Sequence, residues 1–325
     1  MKELLREIVP GFFRLSVPLS QELDAVHTYV AIEGDRLVLF DTGPGTPGVE
    51  ALYEAALARL GKTLEDVDRI YVTHCHVDHC GFAGRIGDRS GAAIHLPRKE
   101  YEALREQDRR RVLLGDYGRR HGLDEGSVRN VMTTLELFAA ATAPFETDCF
   151  IARGDEFTAG GRRFVVLETP GHTRGQVCFY LPDERLLLSG DHVLPHITPN
   201  LSPDVLYPDF QPLESFLDSL ERVRYLNVET IWPAHGEPFS DLGGRVDEIR
   251  RHHGEREAVI RDALRRLGPA TAQAVAEHVF ASAALALFHR GLALNETCVH
   301  LMFLEKRGQV RSEERNGRFY WTDKG

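Results

Sequence analysis

Six consecutive residues, His74-Cys75-His76-Val77-Asp78-His79, constrain this chain more than any other stretch. They hold three histidines and one aspartate, and they follow the apolar run Arg69-Ile70-Tyr71-Val72. That run is short, β-branched and aromatic, so it reads as a buried strand. The polar cluster then lies at the strand's C-terminal end, where α/β sheets present their ligands. Neutral imidazoles and a carboxylate are the donor set for zinc or iron. A solvated turn would draw on Gly, Pro, Asn and Ser instead of repeated His. Cys75 and Cys80 flank the cluster, but Cys75 alternates with His74 and His76 and in extended backbone points the other way.

Before the cluster, Phe12 to Leu15, Val26 to Ile32 and Leu37 to Phe40 read as strands. The third ends at Asp41-Thr42-Gly43-Pro44-Gly45, where Asp41 is expected to brace the metal loop or to accept backbone N–H bonds in a turn. Val49 to Leu60 has a helical period and Gly61 stops it. Residues 97 to 144 change character, being rich in Arg, Glu and Leu and broken by Gly115, Gly118 and Gly122. They are expected to form two or three helices of an inserted cap, with the charge run from Arg105 to Arg111 as a solvated face. Strand patterns resume at Asp155 to Phe157, Arg163 to Leu167, Gln176 to Tyr180, Arg185 to Asp191 and Thr230 to Gly236. Three of these runs lead to His172, Asp191 and His235. The Pro-rich loop from Thr198 to Pro212 carries Tyr207 and Phe210, which could wall an apolar pocket or simply pack the loop, and Leu213 to Tyr225 is an amphipathic helix. His192 and His196 are further candidates for contact with substrate or for bracing the metal-holding residues from behind. The two halves repeat strands, helix and strand, which predicts two sheets face to face with helices outside.

Beyond them, a long polar helix from Gly244 to Leu267 precedes helices expected at 271–280, 283–289 and 295–306, the last capped by Asn295. A hairpin is expected around Asn316-Gly317. Three helices and a hairpin predict a winged-helix-like domain over residues 261–325, after a main domain over 1–260. Its third helix is apolar and poor in base-reading side chains, so packing or homodimerisation is favoured over nucleic-acid binding.

The 325 residues carry a net charge of -10, which offers no general attraction to nucleic acid or an anionic membrane. Five scattered cysteines are not a disulfide framework, and the N-terminus has no signal-peptide core. A cytoplasmic protein with no membrane span and a small-molecule substrate is expected.

The motifs together are similar to those of the metallo-β-lactamase superfamily. His74-Cys75-His76-Val77-Asp78-His79 matches its HxHxDH signature, and Leu39-Phe40-Asp41-Thr42-Gly43 its early Asp motif. Pro170-Gly171-His172-Thr173, Ser189-Gly190-Asp191 and Pro233-Ala234-His235-Gly236 resemble its later motifs, in the family's order. The resemblance implies a four-layer αββα sandwich, here with the insertion at 97–144 and the C-terminal winged-helix-like domain. It implies two divalent metal ions, zinc first and iron or manganese as alternatives. His74, His76 and His172 would hold the first, Asp78, His79 and His235 the second, with Asp191 bridging and Asp78 also catalytic. It implies a metal-dependent hydrolase that uses a metal-bridging hydroxide on a small ester, thioester or lactone. A phosphodiesterase or single-stranded ribonuclease is the alternative, and an iron-dependent redox enzyme a third class.

Overall fold

The computed structural model of the chain describes residues 4–19, 24–280 and 287–325. Among these, seven strands form one mixed sheet in chain order. They are β1 (Leu5–Val9), β2 (Phe12–Pro18), β3 (Ala25–Glu33), β4 (Arg36–Phe40), β5 (Val67–Tyr71), β6 (Ala93–Pro97) and β7 (Phe150–Ile151). The first four pair antiparallel and the last four, from β4 on, pair parallel. A second sheet contains β8 (Glu156–Ala159), β9 (Arg162–Glu168), β10 (Val177–Leu181), β11 (Leu186–Gly190) and β12 (Thr230–Pro233). Only its β11–β12 pair is parallel.

Strand β4 shows why its sequence is apolar without alternation. Leu37 and Leu39 pack outward against α1 (Val49–Ala58) and against α3 (Ala83–Ser90), which follows the short α2 (Val77–Cys80), and Val38 and Phe40 pack inward toward the second sheet. Between the sheets the Phe40 ring stacks on Phe164 at 4.6 Å and meets Phe179 edge-on at 5.3 Å. On the far side of the second sheet, Leu187 and Ile231 pack with Leu213 and Phe216 of α7 (Pro212–Val223) and Val246 of α8 (Leu242–Leu267). Both sheets are therefore covered on both faces, and the four-layer αββα order expected from the sequence is present.

The insertion contains three helices, α4 (Arg98–Arg105), α5 (Gln107–Arg120) and α6 (Glu125–Ala140). After α8 come α9 (Ala272–Val279), α10 (Leu287–Lys306) and the hairpin β13 (Val310–Arg315) and β14 (Arg318–Asp323). Asn316 and Gly317 make its two-residue turn, with φ of 51° and 76°, both in the left-handed region that Asn and Gly tolerate. One expectation is corrected here. Asn295 does not cap a helix but lies inside α10, which runs unbroken from Leu287, and its Nδ2 donates to Ser202 Oγ at 2.9 Å. Gly291 lies in α10 close to α6, where an added Cβ would meet Val131 Cγ2 at 3.1 Å. Residues 283–286 of the short helix expected before it lie outside the described residues, and 287–289 belong to α10.

Helix α10 is buried along most of its length. Leu294, Cys298, Leu301 and Leu304 share a core with Leu123 and Val128 of the insertion and Trp321 of the hairpin. Val299 and Phe303 join the core of α7 and α8 instead.

Candidate metal centre

Strand register brings the distant motifs to one edge. In the parallel pair β4–β5, Phe40 lies beside Tyr71, so Asp41 and Thr73 emerge together. In the parallel pair β11–β12, Gly190 lies beside Pro233, so Asp191 and His235 emerge together. The loop with His172 joins β9 to β10, whose ends are paired at Glu168 and Val177.

There His74, His76 and His172 converge through ring nitrogens. His76 Nδ1 lies 3.0 Å from His74 Nε2 and 2.9 Å from His172 Nε2. Beside them, His235 Nε2 is 3.3 Å from Asp78 Oδ2, and His79 Nε2 is 3.7 Å from the same oxygen. Asp191 touches both groups. Its Oδ1 is 3.5 Å from His79 Nε2 and from His235 Nε2, and its Oδ2 is 3.5 Å from His172 Nε2. Ligands on a tetrahedral zinc stand about 3.3 Å apart, given zinc–nitrogen bonds of ~2.0–2.1 Å.

Protonation suits a cation. His172 Nδ1 donates to the Asn200 carbonyl at 2.9 Å, and His235 Nδ1 donates to the Ala25 carbonyl at 2.9 Å. His79 Nδ1 donates to Asp41 Oδ2 at 2.8 Å. Each bond fixes the proton on Nδ1 and leaves a lone pair on Nε2. His79 Nε2, His235 Nε2 and Asp191 Oδ1 are then buried acceptors with no hydrogen-bond partner among the described residues. Such a set is costly unless a cation occupies its centre. Burial, with His172 beside it, holds His76 down at about 3, and burial with its histidine neighbours holds His74 well below the usual value. Burial also disfavours charge on His79 and His235, yet Asp191 and Asp78 outweigh it and hold both above the ordinary histidine value. The two carboxylates thus attract positive charge to this corner.

All seven expected residues therefore gather in one place, as overlapping groups that could hold a metal ion. Asp41 braces the loop as expected. Its buried carboxylate accepts from Thr73 N, Thr73 Oγ1 and His79 Nδ1, each at 2.8 Å. The sequence reading missed Glu100, on α4, which is 1% exposed. It accepts from Cys75 N at 2.9 Å, Thr173 Oγ1 at 2.8 Å and Gly175 N at 2.6 Å, so it ties the loop of His74 and His76 to that of His172. A lone glutamate in a charged helix gave no periodic signal. His192 does not face the cluster as expected of a substrate contact: it is buried, packed edge-on against Phe216 at 5.4 Å, and burial brings it down to about 3. His196 is exposed. Phe210 lines a crevice beside His172 with Cys75, Lys99 and Arg110, and Tyr207 lies under the Arg174 guanidinium, 3.6 Å from its ring centre. Cys80 is buried in the outer core and joins none of these candidate groups.

Residues 22–235 match the model of the metallo-beta-lactamase superfamily. The chain belongs to the metallo-β-lactamase superfamily. The beta-lactamase-like protein 2 homolog of Caenorhabditis elegans is 28% identical over 290 residues, covering 89% of this chain and 82% of that one. A probable metallo-hydrolase of Bacillus subtilis is 25% identical over 309 residues, covering 92% and 93%. Among solved structures, a metallo-beta-lactamase family protein from Thermus thermophilus superposes with a TM-score of 0.86 at 29% identity, over 98% of this chain and 100% of that one. A beta-lactamase domain protein from Burkholderia ambifaria gives 0.87 at 26% identity, over 98% and 94%. This member of the metallo-β-lactamase superfamily is a metal-dependent hydrolase.

Proposed function

We propose that the chain hydrolyses a small ester, thioester or lactone with two divalent ions, zinc by preference. The observation that carries this reading is Asp191, whose two oxygens face two separate groups of imidazoles. His74, His76 and His172 would hold one ion, Asp78, His79 and His235 the other, and Asp191 both. Bound there, the ions supply Lewis acidity and a nucleophile at neutral pH. The chain's own groups do the rest. Asp41 and Glu100 hold the ligand loops in register. Among the carboxylates of the centre, Asp78 is the most open to solvent, its side chain 21% exposed against 11% for Asp191. Burial would raise Asp78, but His79 and His235 bring it down to about 2, so it is ionised and can hold a proton released by the nucleophile and return it to the leaving group.

The deciding experiment measures metal content and hydrolysis of a panel of aryl esters, acyl thioesters and lactones, for the parent chain and for His76→Ala. Loss of metal and of hydrolysis is expected. A variant that keeps its metal and its rate would sink the proposal.

One observation favours a second reading, phosphodiester cleavage. Lys99 and Arg110 line the crevice beside His172, and Arg110 Nε is buried with no partner among the described residues. A cation so placed suits a substrate with an anionic group near the bond that breaks. Arg110→Ala is expected to raise KM about tenfold for a carboxylate-bearing ester or for bis(p-nitrophenyl) phosphate, with a neutral ester unaffected. Turnover of the phosphodiester without any ester turnover would favour this second reading.

A further inference from the structure

A second set of metal-ligating side chains lies where α8 meets α10. His253 of α8 faces Glu296 and His300 of α10, whose four-residue spacing places both on one side of the helix. One ligand atom from each lies within 4.8 Å of the others, and all three residues are buried. None belongs to the centre described above. The Phe216 ring packs edge-on against His253 at 5.7 Å and against His192 at 5.4 Å, so it separates this set from the corner of Asp191.

The local hydrogen bonds set the lone pairs. His300 Nδ1 donates to the Glu296 carbonyl at 2.7 Å, the bond by which ligating histidines usually fix their free nitrogen. Its Nε2 is then an acceptor, 3.2 Å from His253 Nδ1. That distance is close to the ~3.3 Å edge of a tetrahedral zinc site. It also suits a simple hydrogen bond between the rings, so it does not decide the matter alone. The carboxylate decides it. Glu296 approaches a ring nitrogen of His300 no closer than 3.9 Å, and among the described residues no Lys or Arg forms an ion pair with it. Burial pushes it up to about 7 against the weaker pull of Arg256. Burial likewise brings His253 down to about 2 and His300 to about 4. With no Lys or Arg paired to it among the described residues, a bound cation would balance this buried carboxylate. His253 Nε2 is a further buried nitrogen with no partner among the described residues, and rotation of the ring exchanges which nitrogen faces the cluster.

We propose that His253, Glu296 and His300 form a second metal site, for a divalent ion of the zinc class, which staples the C-terminal helix α10 to α8. Two neutral imidazoles and one carboxylate are a zinc donor set, and a water completes four-coordination. Burial away from the crevice makes the site structural rather than catalytic.

The test counts metal in the full-length chain, stripped, reloaded with Zn2+ alone and passed over a weak chelating resin. His300→Ala and the isosteric Glu296→Gln are each expected to hold one zinc fewer per chain than the parent. They keep the parent's hydrolytic rate, since neither residue touches the first centre. The same difference of one is expected in a His76→Ala background, which separates this site from the fate of the catalytic reading. Equal zinc content in parent and variants overturns the proposal. A crystal of the parent chain grown with zinc needs no variant: an anomalous peak between His253 and His300 is expected there, and its absence is equally decisive against the site.

Discussion

Asp191→Asn is expected to lower kcat/KM by about three orders of magnitude or more, roughly 4 kcal/mol of transition-state stabilisation. The substitution keeps the shape of the side chain and removes its charge. It also turns one of two acceptor oxygens into an NH2 donor. In the parent, Oδ1 faces His79 and His235 at 3.5 Å and Oδ2 faces His172 at 3.5 Å, so either orientation of the amide aims a donor at one group of lone pairs. Metal content should fall with the rate, because the remaining carboxylate, Asp78, approaches only one of the two groups. Kinetics and metal analysis on the same preparation check this. A metal content equal to the parent's and an undiminished rate in the variant would remove the reason for placing Asp191 between two ions.

Glu100→Ala should cost about 3–5 kcal/mol of stability, since hydrogen bonds to a charged group contribute ~1.5–3 kcal/mol each and three buried donors lose their acceptor. It should also weaken metal binding about 10- to 100-fold, the usual effect of losing a group that orients ligands. The reason is placement. Cys75 N sits between His74 and His76, and Thr173 Oγ1 follows His172, so Glu100 fixes the separation of two loops that are far apart in sequence. Glu100→Gln keeps one acceptor oxygen and should recover part of the loss. Urea melts of the metal-free chain measure the structural share, and zinc competition with a chelator measures the rest. An unchanged zinc affinity beside the lost stability would reduce Glu100 to a structural prop.

The candidate site residues were legible in the sequence because each follows a strand whose apolar character is itself easy to read. Val72 precedes His74, and Leu186 to Gly190 precedes Asp191, so periodicity located the strand and the strand located the ligand. The four-layer order was legible for the same reason: strands such as β4 are buried on both faces and need cover on both. What stayed hidden depends on partners distant in the chain. Glu100 looks like any acid on a solvated helix until Cys75, Thr173 and Gly175 are brought to it. Asn295 carries the local signature of a cap, but the tertiary partner Ser202 claims its amide and the helix passes through. Strand β7 is only two residues long, Phe150–Ile151, too short for any period to show. His192 follows a ligand in sequence, yet the chain turns after Asp191 and sends the ring into the outer core.

The core shared by Leu123 and Val128 of the insertion with Cys298, Leu301 and Leu304 of α10 has a consequence for how such a chain can change. Neither segment finishes its own interior; each is the other's roof. A lineage that lost the helices after residue 97 would leave one side of α10 open to water, and one that lost the C-terminal helix would strip the insertion in turn. The two pieces are therefore expected to be kept or lost as a pair. A chimera that exchanges them together between relatives keeps its interior closed, whereas a graft of either alone carries an open apolar face into solution.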